Sequence, residues 1–304
     1  MKDREIAEKM KHCTLCPRKC GVDRNAGQIG YCKMPAELMA ARASLHMWEE
    51  PCISGEEGSG TVFFSGCNMG CVFCQNGTIA DGTVAKPLSI ERLSEIFLEL
   101  QGKGANNINL VTPTHYMPQI KAALVLAKEK GLTLPVLYNS SGYESVESLS
   151  ELEGLVDIYL PDMKYVSPEL SAKYSGARDY FRCAKEALKE MVRQIPAPEF
   201  DDRGMMKKGV IVRHLALPEC ITDSKRVLRY LHQNFGERIY ISIMNQYTPM
   251  KEFADMPELN RTLTQEEYDE IIDYALELGI EQGFIQEGET AKESFIPLFD
   301  YEGL

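Results

Sequence analysis

Three cysteines lie close together in the segment GCNMGCVFCQN, which spans residues 66–76. They are Cys67, Cys71 and Cys74, with the spacing C-x3-C-x2-C, and they follow the apolar run TVFFS. A closed zinc site takes four protein ligands, and a catalytic zinc with three ligands usually includes histidine, which this segment lacks. Three thiolates instead suit a 4Fe-4S cluster, in which one iron would remain open to a ligand that is not protein.

A second group of cysteines lies near the N-terminus. Cys13, Cys16 and Cys20 have the spacing C-x2-C-x3-C, and Cys32 follows after eleven further residues. Four thiolates can close a structural zinc site or saturate a second iron-sulfur cluster. The glycines around the motif favour a knuckle-like structural metal site. An auxiliary cluster is the near alternative, and reactive free thiols are the third interpretation.

The composition is that of an ordinary globular protein. Of the 304 residues, 44% are hydrophobic and 26% are charged, which excludes a fibrous or disordered chain. The net charge of −12, without a basic cluster, disfavours a nucleic-acid-binding surface. The charged N-terminus MKDREIAEKM lacks the apolar core of a signal peptide, and no apolar run approaches the ~20 residues of a membrane span. We therefore expect a cytoplasmic protein without membrane contact, whose ten cysteines are reduced and serve as ligands or catalytic thiols.

The elements that must position these cysteines change in character near Gly60. Residues 1–58 are rich in cysteine, glycine and charge and predict a loop-rich metal-binding extension, whereas residues 59–304 predict a regular domain. In that domain, short apolar runs alternate about six times with amphipathic helical patterns. The alternation predicts an α/β fold whose parallel sheet curls into a partial (β/α)6 TIM-like barrel. The six predicted strands are TVFFSGC, NINLVTP, PVLYNSSG, VDIYLPDMK, GVIVRHLAL and RIYISIMNQY.

Residues with reactive or polar side chains follow each of these strands. In parallel α/β folds, functional groups gather at the carboxyl ends of the strands, on the loops that lead into the helices. One edge of the sheet is therefore expected to collect the candidate site. In chain order, its residues are Cys67, Thr112, Pro113, Thr114, His115, Asn139, Ser140, Asp162, Lys164, Arg213, Gln246 and Tyr247.

The motif of three cysteines, with the aromatic Phe73 just before the third, resembles the signature of the radical S-adenosylmethionine (SAM) superfamily. The resemblance implies a 4Fe-4S cluster whose open iron chelates the amino and carboxylate groups of SAM. It also implies that the reduced cluster cleaves SAM to a 5'-deoxyadenosyl radical, with Phe73 against the adenine. An electron donor such as flavodoxin or ferredoxin is then required.

Further blocks resemble the pyruvate formate-lyase activating enzyme branch of that superfamily, including its uncharacterised iron-sulfur homologues. Asp162-Met163-Lys164 matches the D-x-K element of the branch. The match implies that Lys164 meets the SAM carboxylate and that Asp162 helps to bind a monovalent cation. Asn139 and Ser140 stand where the branch has a turn that begins with aspartate. Because that aspartate is absent here, the resemblance does not decide whether a cation binds.

Residues 112–115 take the place of the superfamily's Gly-Gly-Glu element, which receives the SAM amino group. His115 cannot replace the carboxylate of that glutamate. The resemblance therefore implies that the carbonyls of Thr112 and Pro113 receive the SAM amino group, or that His115 has a different function.

Arg213 resembles an arginine near the active site of the branch. The resemblance implies that its guanidinium holds a carboxylate or a peptide carbonyl in a fixed orientation. The adjacent His214 should point to the opposite face of the strand as a structural histidine. Tyr247 stands near a histidine of the branch that contacts SAM, and Gln246 is an equal candidate for that contact.

Two classes of function remain open on the sequence. The resemblance implies an enzyme that cleaves SAM and abstracts a hydrogen atom, in this branch from a glycine of a glycyl radical enzyme. A small molecule or another protein target is the alternative within the superfamily. A non-enzymatic iron-sulfur or zinc-binding electron carrier or adaptor is the alternative from another class, although an incomplete ligand set beside a predicted cleft argues against it.

Overall fold

A computed structural model describes residues 3–286 and 297–304. Within them, ten strands form one sheet. The strands are β1 Leu38–His46, β2 Ser59–Phe64, β3 Lys86–Leu88, β4 Ile108–Val111, β5 Val136–Ser140, β6 Ile158–Pro161, β7 Glu199–Phe200, β8 Met206–Leu215, β9 Tyr240–Met244 and β10 Gly283–Ile285. The helices are α1 Asp3–Lys11, α2 Pro51–Ser54, α3 Gly77–Ala80, α4 Ile90–Gly102, α5 Met117–Glu129, α6 Val146–Ser150, α7 Pro168–Ser175, α8 Tyr180–Gln194, α9 Ile221–Phe235 and α10 Gln265–Glu277.

Seven of the described strands run parallel, in the order β10-β9-β8-β6-β5-β4-β2. The sheet continues from β2 to β1 and β3, which pair antiparallel. In the described ranges the two end strands, β10 and β3, do not pair, so the barrel stays open. Each of the six strands predicted from the sequence overlaps one of the parallel strands, although β2 and β8 begin two and three residues before their predicted segments. The predicted α/β partial barrel is therefore confirmed, with β10 as an additional parallel strand.

The helices begin where their local sequence predicts. The Ser89 hydroxyl accepts the Arg92 backbone N–H at 3.0 Å at the start of α4, which satisfies one of the unpaired amides of that end. At the start of α10, Thr264 and Glu267 exchange side-chain and backbone hydrogen bonds in a capping box. None of the described helices is both long and apolar enough to cross a lipid bilayer.

The N-terminal extension contributes a strand to the same sheet. β1 pairs antiparallel with β2, with Ala43 opposite Val62 and His46 opposite Ser59. The C-terminal residues also lie against β1, where the Ala43 amide donates to the Glu302 carbonyl at 2.8 Å. The loop-rich character predicted for residues 1–58 therefore applies only to part of that segment, because residues 38–46 complete the sheet beside the strand that leads to the three cysteines.

Candidate active site

The carboxyl ends of the parallel strands surround a cavity of about 490 Å³. Pockets of this size accommodate small molecules and cofactors. Most of the residues predicted from the sequence line it: Cys67, Cys71, Phe73, Cys74, Thr112, Asn139, Ser140, Asp162, Lys164, Arg213, Gln246 and Tyr247. The right-handed strand-helix repeat therefore brings side chains from six separate strand ends to one place, as the topology requires.

The three cysteines of the loop after β2, Cys67, Cys71 and Cys74, form one group on the cavity wall. Burial raises the pKa of the Cys67 thiol and that of Cys74, the latter to about 12, and the nearby Cys71 adds to both increases. A raised pKa keeps a thiol protonated, so the binding of iron would have to displace these protons. The Met69 backbone N–H donates to Cys67 Sγ at 3.4 Å and the Ser175 hydroxyl donates to Cys71 Sγ at 3.0 Å.

Among the described residues, no three His, Cys, Asp or Glu side chains close around a single ion position. Whether these residues fit a cluster therefore depends on the chemistry of the three donors and on the space around them. The donors are three soft thiols that share one wall of the cavity, the ligand type that iron-sulfur clusters take. At Gly66 (φ +87°), a Cβ would overlap Met34 and come within 2.7 Å of the Cys32 carbonyl oxygen, so only glycine lets the loop pass there. The residues fit a 4Fe-4S cluster held by three thiolates.

Arg213 lies in a buried ionic network that the sequence analysis did not predict. Its Nε donates to Glu50 Oε1 at 2.8 Å, and its guanidinium also bonds Glu49. The Asn109 side-chain amide donates to Glu49 Oε1 at 2.7 Å, and Asn139 lies 3.5 Å from the same oxygen. Burial alone would raise the pKa of Glu49, but the Arg213 guanidinium lowers it. Glu49 and Arg213 therefore stay ionised in this network.

The two glutamates come from the end of the extension, between β1 and α2, where the sequence shows only the dipeptide EE before a proline. A charged pair beside a turn is usually solvated, so the local sequence gives no reason to place it inside the barrel. Its burial follows from the pairing of β1 with β2, which directs the chain after His46 into the cavity.

Asp162 and Lys164 line the cavity as a bonded pair. Lys164 Nζ lies 2.5 Å from Asp162 Oδ2. Burial alone would lower the pKa of Lys164, but the Asp162 carboxylate raises it well above its usual value. The Tyr180 hydroxyl donates to the Asp162 carbonyl at 2.9 Å and accepts the Lys164 amide at 3.0 Å, which fixes the backbone of the element. A permanently charged ammonium is thereby held at the cavity wall.

The loop after β4 places only the first of its four predicted residues on the cavity. Thr112 lines it with φ +59°, a conformation that is rare for a β-branched residue and is often found at functional sites. The Thr114 hydroxyl instead donates to Glu144 Oε1 at 2.7 Å. His115 is buried, and its Nε2 lies 2.7 Å from the Ser65 carbonyl. Burial and the nearby Arg24 lower the pKa of His115 to about 3, so it is a neutral structural residue away from the cavity lining.

Like His115, Pro113 and Thr114 do not line the cavity in the described part of the chain. The prediction that residues 113–115 contact SAM therefore finds no support in the geometry. The physical reason is that the chain turns immediately after Thr112 into a 3-10 turn at residues 114–116, which directs the following side chains into the protein core.

Phe73 and Tyr247 form a perpendicular aromatic pair on the cavity wall, with ring centroids 6.0 Å apart. The Tyr247 hydroxyl donates to the Leu259 carbonyl at 2.6 Å, so its polar end is already satisfied. The Gln246 carbonyl accepts the Gln75 side-chain amide at 3.0 Å, which ties the loop after β9 to the residue that follows Cys74. Tyr247 thus offers its ring to the cavity, and Gln246 its side chain.

His214 and Ser140 lie beside the residues described above. His214 is buried, and its Nδ1 lies 2.8 Å from the Met163 carbonyl, as the alternation along β8 predicts for a structural histidine. Ser140 lines the cavity, and its hydroxyl accepts a hydrogen bond from the Gly142 amide at 3.2 Å. This bond shapes the turn after β5, which has no aspartate.

Comparison with known proteins agrees with this geometry. A model of the radical SAM superfamily matches residues 61–207. Uncharacterized protein MJ0674 of Methanocaldococcus jannaschii is 30% identical over 285 residues, which cover 89% of this chain and 76% of that protein.

Solved structures show the same fold. A radical SAM methyltransferase from Sphaerobacter thermophilus has a TM-score of 0.52 at 15% identity, covering 75% of this chain and 66% of that one. HydG, a maturase of the FeFe-hydrogenase, has a TM-score of 0.51 at 12% identity, covering 75% of this chain and 52% of that one. The match spans just under two thirds of the methyltransferase and about half of HydG. At such low sequence identity, these two structures show the fold alone. Together with the motif, the fold and the cavity, the family model and the 30% identical relative show that this chain belongs to the radical SAM superfamily.

Proposed function

We propose that this protein cleaves SAM reductively at a 4Fe-4S cluster and abstracts a hydrogen atom from a substrate in the cavity. Membership of the superfamily supports an enzyme and implies both the cluster and SAM. The observation that carries the proposal is that Cys67, Cys71 and Cys74 share one cavity with Lys164 and Arg213. When bound and reduced, the cluster supplies the electron that breaks a carbon-sulfur bond of SAM.

The residues of the chain bind and orient in this proposal. The three thiols would hold three corners of the cluster. Lys164 would bind the SAM carboxylate, because its ammonium stays charged beside Asp162. Phe73 and Tyr247 would give the adenine an apolar wall, since both rings lie at the cavity.

Arg213 would act on the substrate side of the cavity. Two buried carboxylates, Glu49 and Glu50, fix its guanidinium in one orientation, so a substrate that binds it meets a prearranged donor. The network also replaces water with fixed charges at the base of the cavity, which protects a reactive intermediate from solvent.

We further infer that the target is a glycine residue of a glycyl radical enzyme. Support comes from the D-x-K element, because Asp162 and Lys164 lie at the cavity as the resemblance implies. A small molecule or another protein is the alternative, and the departures from the branch at His115 and Asn139 favour it. An electron donor such as flavodoxin or ferredoxin, a cytoplasmic location and a monovalent cation near Asp162 belong to the same proposal.

The first experiment tests SAM cleavage. Anaerobically purified protein, reduced with dithionite in the presence of SAM, should release 5'-deoxyadenosine and methionine in equal amounts. The variant Cys71→Ser should release neither, whereas Cys183→Ser, which changes a buried cysteine on α8, should behave as the wild type. Wild-type protein that carries zinc and no iron at Cys67, Cys71 and Cys74 would refute the proposal.

The second experiment tests the target. Peptides with dideuterated glycine should transfer deuterium into 5'-deoxyadenosine if a glycine is the hydrogen donor. Cleavage of SAM without deuterium transfer from any glycine-containing protein or peptide would leave the first proposal standing and refute the second.

A further inference from the structure

The four cysteines near the N-terminus, here called the N-terminal thiol group, are Cys13, Cys16, Cys20 and Cys32. The Gly21 amide donates to the Cys13 carbonyl at 2.9 Å, which places Cys13 beside Cys20, and the Tyr31 amide donates to Cys20 Sγ at 3.3 Å, which brings Cys32 to the same region. Cys13 and Cys32 are also close enough to the Cys16 thiol to act on it electrostatically. Three of them are buried and Cys20 is exposed. The fold therefore brings these thiols, which span twenty residues of irregular chain, into one region, although in the described part of the chain no three of them close around a single ion position.

The N-terminal thiol group repeats a local geometry of the cluster loop, which is the name used here for residues 67–74. In both places, a backbone N–H donates to a cysteine sulfur: Tyr31 to Cys20 at 3.3 Å and Met69 to Cys67 at 3.4 Å. Such donors favour the thiolate, which is the form that binds metal.

A buried arginine gives independent evidence for negative charge at the N-terminal thiol group. Arg24 is 1% exposed and donates to the carbonyl oxygens of Pro35 and His115, each at 2.6 Å. In the described part of the chain its hydrogen bonds reach no carboxylate, and its other contacts are Cys13 Sγ at 4.0 Å and the Tyr116 ring, whose centroid lies 5.3 Å from the guanidinium. A buried cation needs a counter-ion. Four thiolates around a metal centre leave about two negative charges in excess, one of which Arg24 would balance.

Two residues of the N-terminal motif hold the cluster loop directly. Arg18, between Cys16 and Cys20, donates to the carbonyls of Asn68 and Met69 at 2.8 and 3.1 Å. Its guanidinium lies 3.6 Å from the ring centroid of Tyr31, whose hydroxyl also donates to the Met69 carbonyl, at 3.1 Å.

The same arginine reaches the end of α7. Its remaining hydrogen bonds go to the carbonyls of Ser175 and Gly176, at 3.3 and 2.7 Å. Ser175 is the residue whose hydroxyl contacts Cys71 Sγ. Arg18 therefore connects the N-terminal motif to both sides of the cluster loop.

We propose that the N-terminal thiol group binds a second metal centre, and that this centre fixes Arg18 and Tyr31 so that they hold the cluster loop in place. The centre is a zinc ion or an iron-sulfur cluster, which share the four-thiolate chemistry. Arg18 is then a positioning residue. The inference concerns the same site as the proposed function, but the existence of the second centre does not depend on it.

The first test counts metal in full-length protein whose cluster loop cannot bind any. The triple variant Cys67→Ser, Cys71→Ser, Cys74→Ser, purified anaerobically from medium with iron and zinc, should retain about one zinc or about four iron atoms per chain. Zinc would require the four sulfurs to draw together, and iron would identify a second cluster. Adding Cys16→Ser and Cys32→Ser should remove this metal. A triple variant that carries neither metal would overturn the proposal, whether or not the wild type cleaves SAM.

The second test uses Arg18→Gln in the otherwise wild-type protein. Iron should leave the cluster loop at least about tenfold faster in the presence of a chelator, because the loss of even one of the four hydrogen bonds from this charged donor is expected to give that factor. The second centre should stay bound, which general unfolding would not allow. Arg178→Gln is the matched control, because Arg178 lies two residues after Gly176 but is 73% exposed. A wild-type release rate in Arg18→Gln, or the loss of both centres together, would overturn the positioning role.

Discussion

Removing the Arg213 guanidinium should destabilise this protein far more than the loss of a surface charge. The side chains of Arg213, Glu49 and Glu50 are 15%, 6% and 5% exposed, so solvent screens their charges little. Loss of one partner from a buried ion pair costs about 3–5 kcal/mol, because the remaining charge stays buried without its counter-ion. Here two carboxylates lose the same partner. We therefore expect Arg213→Met to lower the free energy of unfolding by about 4–5 kcal/mol.

The measurement is urea denaturation at pH 7, followed by far-ultraviolet circular dichroism of anaerobically purified protein. The matched variant combines Glu49→Gln, Glu50→Gln and Arg213→Met. It should lie within about 2 kcal/mol of the wild type, because a buried network replaced by neutral side chains leaves no charge unpaired. A loss below about 1 kcal/mol in Arg213→Met, or a triple variant no more stable than the single one, would refute the reasoning.

The pH dependence gives the same prediction a second readout. In the wild type, burial raises the pKa of Glu49, but Arg213 together with His46 and Asn109 brings it below its ordinary value of 4.5. The stabilising contribution of Glu49 is therefore present above pH 4.5 and is lost as the pH falls through the folded pKa. In Arg213→Met, burial is the largest influence on Glu49 and is opposed by the weaker effects of His46 and Asn109, so we expect the pKa of Glu49 to rise. The variant should therefore gain stability as the pH falls from 8 towards 5, over a range where this group gives the wild type no such gain.

Three further substitutions test single features of the structure. Burial raises the pKa of Glu144 from 4.5 to about 7, so the group costs stability as the pH rises through that window. Glu144→Gln should then gain up to about 3 kcal/mol over the wild type at pH 8 and nothing at pH 4, by urea denaturation at both values. Gly66→Ala should cost about 1–3 kcal/mol more than Gly104→Ala, because both glycines have positive φ but a Cβ at Gly104 meets no atom within 4 Å. Equal losses would remove the steric argument. Thr112→Asn should raise the unfolding free energy by about 1 kcal/mol, because asparagine tolerates φ +59° better, and an unchanged thermal midpoint would contradict it.

The sequence by itself determined the parallel sheet and the location of the candidate site within it. Repeated apolar runs and helical patterns correspond to β2, β4, β5, β6, β8 and β9, because a strand buried on both faces needs such a run. The three cysteines could be assigned to a cavity wall because they follow the first of these strands. The spacing of the thiols also indicated a 4Fe-4S cluster as the group that they would hold, since ligand number is a local property of the chain.

Only the tertiary structure decided which side chains reach the cavity. It buried Glu49 and Glu50 beside Arg213, turned His115 into the core, and placed Arg18 on the carbonyls of the cluster loop. Each of these outcomes depends on pairing between segments far apart in sequence. A dipeptide of glutamates or an arginine between two cysteines has the same local pattern whether it faces solvent or a buried partner, so its role is fixed only when the sheet brings that partner to it.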